Sequence, residues 1–199
     1  ALGLAACRCP LVARMDADDV SLPGRIERTR AALLADPGLA VVATRVEAFP
    51  DPSPGLSRYV AWQNSLLTPE EHARDLFVEA PLCHPSVIFR RDVVAEVGGY
   101  LERPWPQDYD LWLRLDTAGF RLAKLPEMLL RWRHRPERAS FTSERNTLAR
   151  LVLARARYLA PRLRARGRFR VWGAGDTGKD LARALEAEGA FAHAFADID

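Results

Sequence analysis

The chain has 199 residues, 48% hydrophobic and 28% charged, with a formal net charge of +3, a composition that suits one or two folded domains. The charge is mild and no basic stretch is interleaved with aromatics, which gives no case for nucleic acid. Cys7, Cys9 and Cys83 form no C-x-x-C, so neither a disulfide framework nor a zinc knuckle is expected, and no apolar run approaches the roughly 20 residues that span a bilayer.

Ala1 to Ala6 reads as the end of a helix whose start lies upstream. Leu11 to Met15 is expected as a short buried strand that ends in the carboxylates Asp16, Asp18 and Asp19. Arg25 to Ala35 is expected as a helix stopped by Asp36-Pro37-Gly38, and Leu39 to Val46 as a strand. Phe49 to Ser57 holds three prolines and a glycine and reads as a loop. Thr68-Pro69-Glu70-Glu71 is a capping box that opens a helix to about Glu79.

Ser86 to Phe89 is expected as a strand, and Arg91 to Val97 as a helix stopped by Gly98-Gly99. Asp108 falls where a loop with Pro104 and Pro106 turns into a helix over Tyr109 to Ala118. Two strands, Phe120 to Leu125 and Met128 to Trp132, follow. An Arg-rich helix runs from Thr142 to about Arg166, interrupted at Pro161. Then come a strand over Phe169 to Trp172, a helix over Asp176 to Glu188 and a strand over Phe191 to Phe195. The alternation is that of an α/β chain.

Three constellations carry chemistry. Asp16 and Asp18, two apart at a strand end, share one side of an extended chain, and such a pair suits a divalent cation shared with a diphosphate. The bland alternative is an acidic turn capping the next helix. The same letters, Asp16-Ala17-Asp18-Asp19-Val20, also resemble the motif of haloacid dehalogenase-type phosphatases, in which Asp16 would be the nucleophile. Asp108 in Gln107-Asp108-Tyr109-Asp110-Leu111-Trp112-Leu113-Arg114-Leu115 is either a helix cap or a base, Asp110 and Arg114 can pair on the helix surface, and Leu111, Trp112 and Leu115 read as core. His84 lies just before a strand and His134 just after one, set among Arg131, Arg133 and Arg135. Each is structural or a ligand, and the arginines could bind phosphate oxygens.

The ordered set of Ala13-Arg14-Met15-Asp16-Ala17-Asp18-Asp19, Leu22-Pro23-Gly24-Arg25-Ile26-Glu27-Arg28, His84-Pro85-Ser86-Val87-Ile88-Phe89-Arg90-Arg91, Val97-Gly98-Gly99-Tyr100 and Gln107-Asp108-Tyr109-Asp110-Leu111-Trp112 resembles family 2 glycosyltransferases. The phosphatase motif has no counterpart to the later segments. The resemblance implies a GT-A fold, a nucleotide-diphosphate sugar as donor, Mn²⁺ or Mg²⁺, and inverting transfer to a glycan or lipid-linked acceptor. By position, Asp16 and Asp18 match the D-x-D motif that holds metal and donor, Asp108 matches the acceptor-activating base, and His134 falls near a position that binds metal or diphosphate in some relatives. Gly98, Gly99 and Tyr100, with His84 and Gln107, match the acceptor side. Gln107 departs from the family's usual Glu. The resemblance further implies a bacterial enzyme on the cytoplasmic side, at the inner face of a membrane if it associates with one.

The family's first half, which seats the nucleotide base, is expected upstream of Ala1, so these residues alone are expected to transfer no sugar. The alternative from another class is a non-catalytic nucleotide-binding or scaffold module.

Gly173-Ala174-Gly175-Asp176-Thr177-Gly178 is a G-x-G-x-x-G after a strand and opening a helix, with Asp197 and Asp199 about 20 residues on, where a ribose-binding acid would fall. NAD or another nucleotide is its candidate ligand. The alternative is a Rossmann-like unit whose glycines serve only close packing. The expected organisation is a partial GT-A domain over 1–140, a helical linker over 141–167 and the start of a Rossmann-like domain over 168–199.

Overall fold

A computed structural model describes residues 2–135 and 143–197. The expected boundary at 140/141 and the candidate Asp199 lie outside the described residues. The chain divides into two units, 1–102 with 107–138, and 103–106 with 139–199.

The first unit is built on a five-stranded mixed sheet in the order β1-β4-β3-β5-β2. The strands are β1 (Leu11–Ala13), β2 (Val20–Ser21), β3 (Leu39–Phe49), β4 (Ile88–Arg90) and β5 (Arg121–Arg133). Leu39 to Val46 reads as an almost unbroken apolar run, and β3 is accordingly the central strand, with Leu39 to Thr44 fully buried. It pairs in parallel with β5 and antiparallel with β4.

The helices are α1 (Leu2–Ala6), α2 (Arg25–Ala35), α3 (Pro54–Ser65), α4 (Pro69–Asp75), α5 (Arg91–Glu96) and α6 (Gln107–Thr117). The Thr68 capping box forms both of its hydrogen bonds. α2 brings Leu33 onto Leu39, Val42 and Ile88, and α3 brings Leu56 and Val60 onto Val46 and Leu130. Tyr109, Leu111, Trp112, Leu113 and Leu115 of α6 are all fully buried, as the apolar face predicts.

Three expectations are corrected. The loop over Phe49 to Ser57 gives way to α3 from Pro54, because Ser53 caps it by accepting from Leu56 N–H and Pro54 sits where a helix has no need of an N–H. The two strands around Pro126 are one, β5: its pairing with β3 steps from Leu125 to Met128, so Pro126 sits in an irregularity that needs no donor. Helix α6 starts at Gln107, which places Asp108 inside its first turn rather than before it.

The second unit holds α7 (Leu148–Arg166), β6 (Arg170–Trp172), α8 (Asp176–Ala187) and β7 (Ala194–Ala196). β6 and β7 pair in parallel, which makes a βαβ unit. Val152, Ala156 and Ala160 of α7 pack with Ala184, Leu185 and Ala190. The segment expected as a linker therefore supplies half of this core. Helix α7 runs on through Pro161.

Candidate functional site

The carboxylate loop is held from two sides. Asp16 pairs with Arg14, and the Asp18 carboxylate lies 3.4 Å from Arg135 Nε. Asp19 is buried and accepts Arg133 N–H at 2.7 Å, while Arg133 Nε donates to Asp18 O at 2.8 Å. Asp19 thus anchors the loop to the end of β5, leaving Asp16 and Asp18 as the carboxylates about a third exposed. His134 stands between the two arginines that grip the loop, and its N–H donates to Phe49 O at 2.5 Å.

Among the described residues no group of three His, Cys, Asp or Glu side chains is arranged to hold a metal ion. Asp16 and Asp18 are the part-exposed carboxylates of this loop, oxygen groups of the type that Mg²⁺ and Mn²⁺ take as ligands.

The second half of the site is built from three segments. His84 opens a 3₁₀ turn over His84–Ser86, and one of its ring nitrogens lies 2.7 Å from Tyr100 Oη. Its ring also meets the edge of Trp112, with centroids 5.9 Å apart. Burial pushes its pKa down to about 4, against the opposing pull of Asp108 and Asp16, so the ring is neutral near pH 7. Burial likewise pushes the Tyr100 phenol up. Asp16, Arg14 and Asp108 are all near enough to act on the charge of His84. His84 thus contacts Tyr100 directly and lies within electrostatic range of Asp16 and Asp108, residues from four separate stretches of sequence. Asp108 Oδ1 accepts its neighbour Tyr109 N–H at 2.9 Å, and Gln107 Nε2 reaches Glu102 at 3.5 Å. Gly98 and Gly99, both with positive φ, form with Tyr100, Leu4 and Ala95 the wall of a cavity of about 420 Å³.

Three further residues, Asp110, Arg114 and Arg25, hold this arrangement. Asp110 and Arg114, expected on the helix surface, are buried, at 0% and 11% side-chain exposure, and 2.7 Å apart. The remaining fork of Arg114 donates to Val97 O at 2.5 Å and Gly99 O at 2.6 Å, fixing the turn that delivers Tyr100. Arg25 is 3% exposed and bonds to the backbone on both sides of the site. The abundance of arginine hides both in the sequence. The signal available was position: Arg114 lies one turn after Asp110, and Arg25 opens a helix.

In the second unit, Gly173 has φ +97° and its N–H donates to Ala196 O at 2.7 Å. A Cβ on Gly178 would overlap Gly173 O, so this glycine lets helix and strand approach closely. Gly175 caps α8, and Asp197 accepts Ala174 N–H at 3.3 Å, which lays the candidate ribose acid against the glycine turn.

Residues 1–98 match the family described as glycosyl transferase family 2. The amylovoran biosynthesis glycosyltransferase AmsE of Erwinia amylovora is 31% identical over 131 residues, 66% of this chain and 47% of that protein. The O-antigen biosynthesis glycosyltransferase WbnJ of Escherichia coli is 30% identical over 131 residues, 64% of this chain and 48% of that protein. The chain thus spans about half the length of these relatives. The crystal structure of S. aureus TarS 1-349 in complex with UDP-GlcNAc aligns with a TM-score of 0.57 at 13% identity, covering 96% of this chain and 52% of that one. The fold is of the GT-A kind, and residues 1–98 of this chain belong to glycosyl transferase family 2.

Proposed function

We propose that the first unit is the acceptor and metal half of an inverting glycosyltransferase that moves a sugar from a nucleotide-diphosphate sugar to a glycan or lipid-linked acceptor. The observation that carries this reading is the convergence of Asp16, His84, Tyr100 and Asp108 inside a family 2 domain. The names of AmsE and WbnJ point to surface-polysaccharide synthesis, and the UDP-GlcNAc of TarS to a nucleotide-sugar donor. The phosphatase reading of Asp16 gives way to the family match.

Asp16 and Asp18 would hold the divalent cation, with His134 beside them. When bound, that cation supplies positive charge to the leaving diphosphate. Arg14 and Arg135, paired with the two carboxylates, would be the guanidinium groups beside them that could bind phosphate oxygens. Asp108 takes the proton of the acceptor hydroxyl as its oxygen bonds to the anomeric carbon and the bond to the diphosphate breaks on the opposite face. Neutral His84, bonded to Tyr100, offers the acceptor a hydrogen-bonding wall without adding charge beside that base.

Among the described residues no helix is long and apolar enough to cross a membrane. The glycine turn of the second unit would take NAD or another nucleotide, with Asp197 on a ribose hydroxyl.

The test is calorimetric titration of the chain with inorganic diphosphate in the presence and absence of Mn²⁺, the part of the donor that the Asp16 and Asp18 side would hold. Metal-dependent binding is expected, Asp18→Asn should remove it, and Asp108→Asn should preserve it. Absence of any metal-dependent binding, or metal-dependent binding that survives Asp18→Asn, overturns the reading.

A further inference from the structure

We infer that Arg25 is a positioning residue that locks the carboxylate loop to the His84 turn, so that the two halves of the site keep one geometry. The inference rests on the proposed transferase reading only for what those two segments do.

The ladder between β1 and β4 ends at the pair Ala13 and Ile88, with one further bond from Arg14 N–H to Val87 O at 3.0 Å. Beyond that point one chain runs on to Asp16 and the other comes from His84, and sheet pairing no longer ties them. The guanidinium of Arg25 takes over there. Its Nη1 donates to Arg14 O at 3.3 Å and to Pro85 O at 3.1 Å, acceptors 11 and 60 residues away in sequence. Its Nε donates to Ser21 Oγ at 2.8 Å, and its Nη2 faces Met15 Sδ at 3.8 Å. Asp19, the buried anchor of the loop, attracts the same cation.

Every one of these contacts is on the carboxylate loop, on the His84 turn, or on the entry to α2 that carries Arg25 itself. The side chain is almost fully buried, so it is not a substrate ligand from solvent. Its planar fork is the reason for arginine here: one head reaches acceptors in three directions. A lysine ammonium keeps the charge but cannot span them. Losing the fork leaves two carbonyls at the join without their donor, and the loop and the turn then open together.

The test compares Arg25→Lys with Leu33→Ala, a core truncation elsewhere on α2, by hydrogen exchange and by titration with Mn²⁺ alone. Arg25→Lys is expected to speed exchange roughly tenfold in both 14–19 and 83–87, with β3 and β5 affected no more than in Leu33→Ala. The Mn²⁺ dissociation constant is expected to rise roughly 10- to 100-fold, as for groups that orient ligands, and to stay unchanged in Leu33→Ala. Should Arg25→Lys fail to fold, Ser21→Ala removes one bond that aims the fork and gives the same two-segment pattern at roughly threefold. Loosening of only one segment, or no more loosening than in Leu33→Ala, overturns the inference. So does loosening of both with Mn²⁺ affinity unchanged. A wild-type chain that binds no Mn²⁺ sinks the metal reading instead, and the exchange pattern still decides Arg25.

Discussion

The side chains of the candidate site are held by buried charges beside them. Asp110 is fully buried and its partner Arg114 nearly so, and Asp110 lies two residues after Asp108 in α6. A buried ion pair adds little net stability over an apolar pair, but removing one partner strands the other charge in the interior. Asp110→Ala is therefore expected to destabilise the first unit by about 3–5 kcal/mol, read as a fall in the urea midpoint at unchanged slope. Arg114 also carries the carbonyls of Val97 and Gly99, so the variant should loosen the Tyr100 contact to His84. A loss below about 1 kcal/mol would mean that Arg114 finds other partners, since that is the range of an exposed pair.

At the scale of elements, Gly178 gives the clearest case. Its missing Cβ lets α8 lie against the Gly173 carbonyl, and a backbone atom cannot step aside as a side chain can. Gly178→Ala should melt the second unit or shift it by several degrees while the sheet of the first unit keeps its hydrogen-exchange protection. Gly175→Ala, with open space at the Cβ and an extended φ of -70°, should be near neutral. Equal effects would refute the packing role.

The same elements show what was legible beforehand. Helix α2, the Thr68 cap and the buried face of α6 follow from local rules that need no tertiary information: caps, stops and period. Helix α3 is hidden because Ser53-Pro54-Gly55 has turn chemistry, and only the cap bond from Leu56 N–H to Ser53 marks a helix start. The unity of β5 is not legible in the sequence, because only its pairing with β3 shows where Pro126 is tolerated. Within the site, Asp16, Asp18 and Asp108 stand out as carboxylates at strand and helix ends. Arg25 and Arg114 do not, because their partners are backbone carbonyls, and a sequence does not say which carbonyls a guanidinium will meet.

For the molecule as a whole, two neutral histidines make stability depend on pH. His72 is 1% exposed, with neither ring nitrogen in a hydrogen bond, and burial with the nearby Lys124 charge pushes its pKa down to about 3, against Glu71 and Asp75. His84 is held near 4, mainly by burial and also by Arg14, against Asp108 and Asp16. In the unfolded chain both titrate near 6.5. Below that value the unfolded state binds protons that the folded state refuses, so stability falls as pH drops from about 6.5 toward the folded values, and it is intact at pH 7 and above. The slope approaches about 1.4 kcal/mol per pH unit for each histidine. Both lie in the first unit, whereas the second carries His193, which is exposed. Urea titrations at pH 7 and pH 5, followed by hydrogen exchange in β3 and in α7, should show the first unit losing stability well ahead of the second. His72→Met removes a ring that makes no hydrogen bonds, so it should cost little at pH 7 and flatten the acid slope by about half. An unchanged slope in that variant would place the acid sensitivity elsewhere.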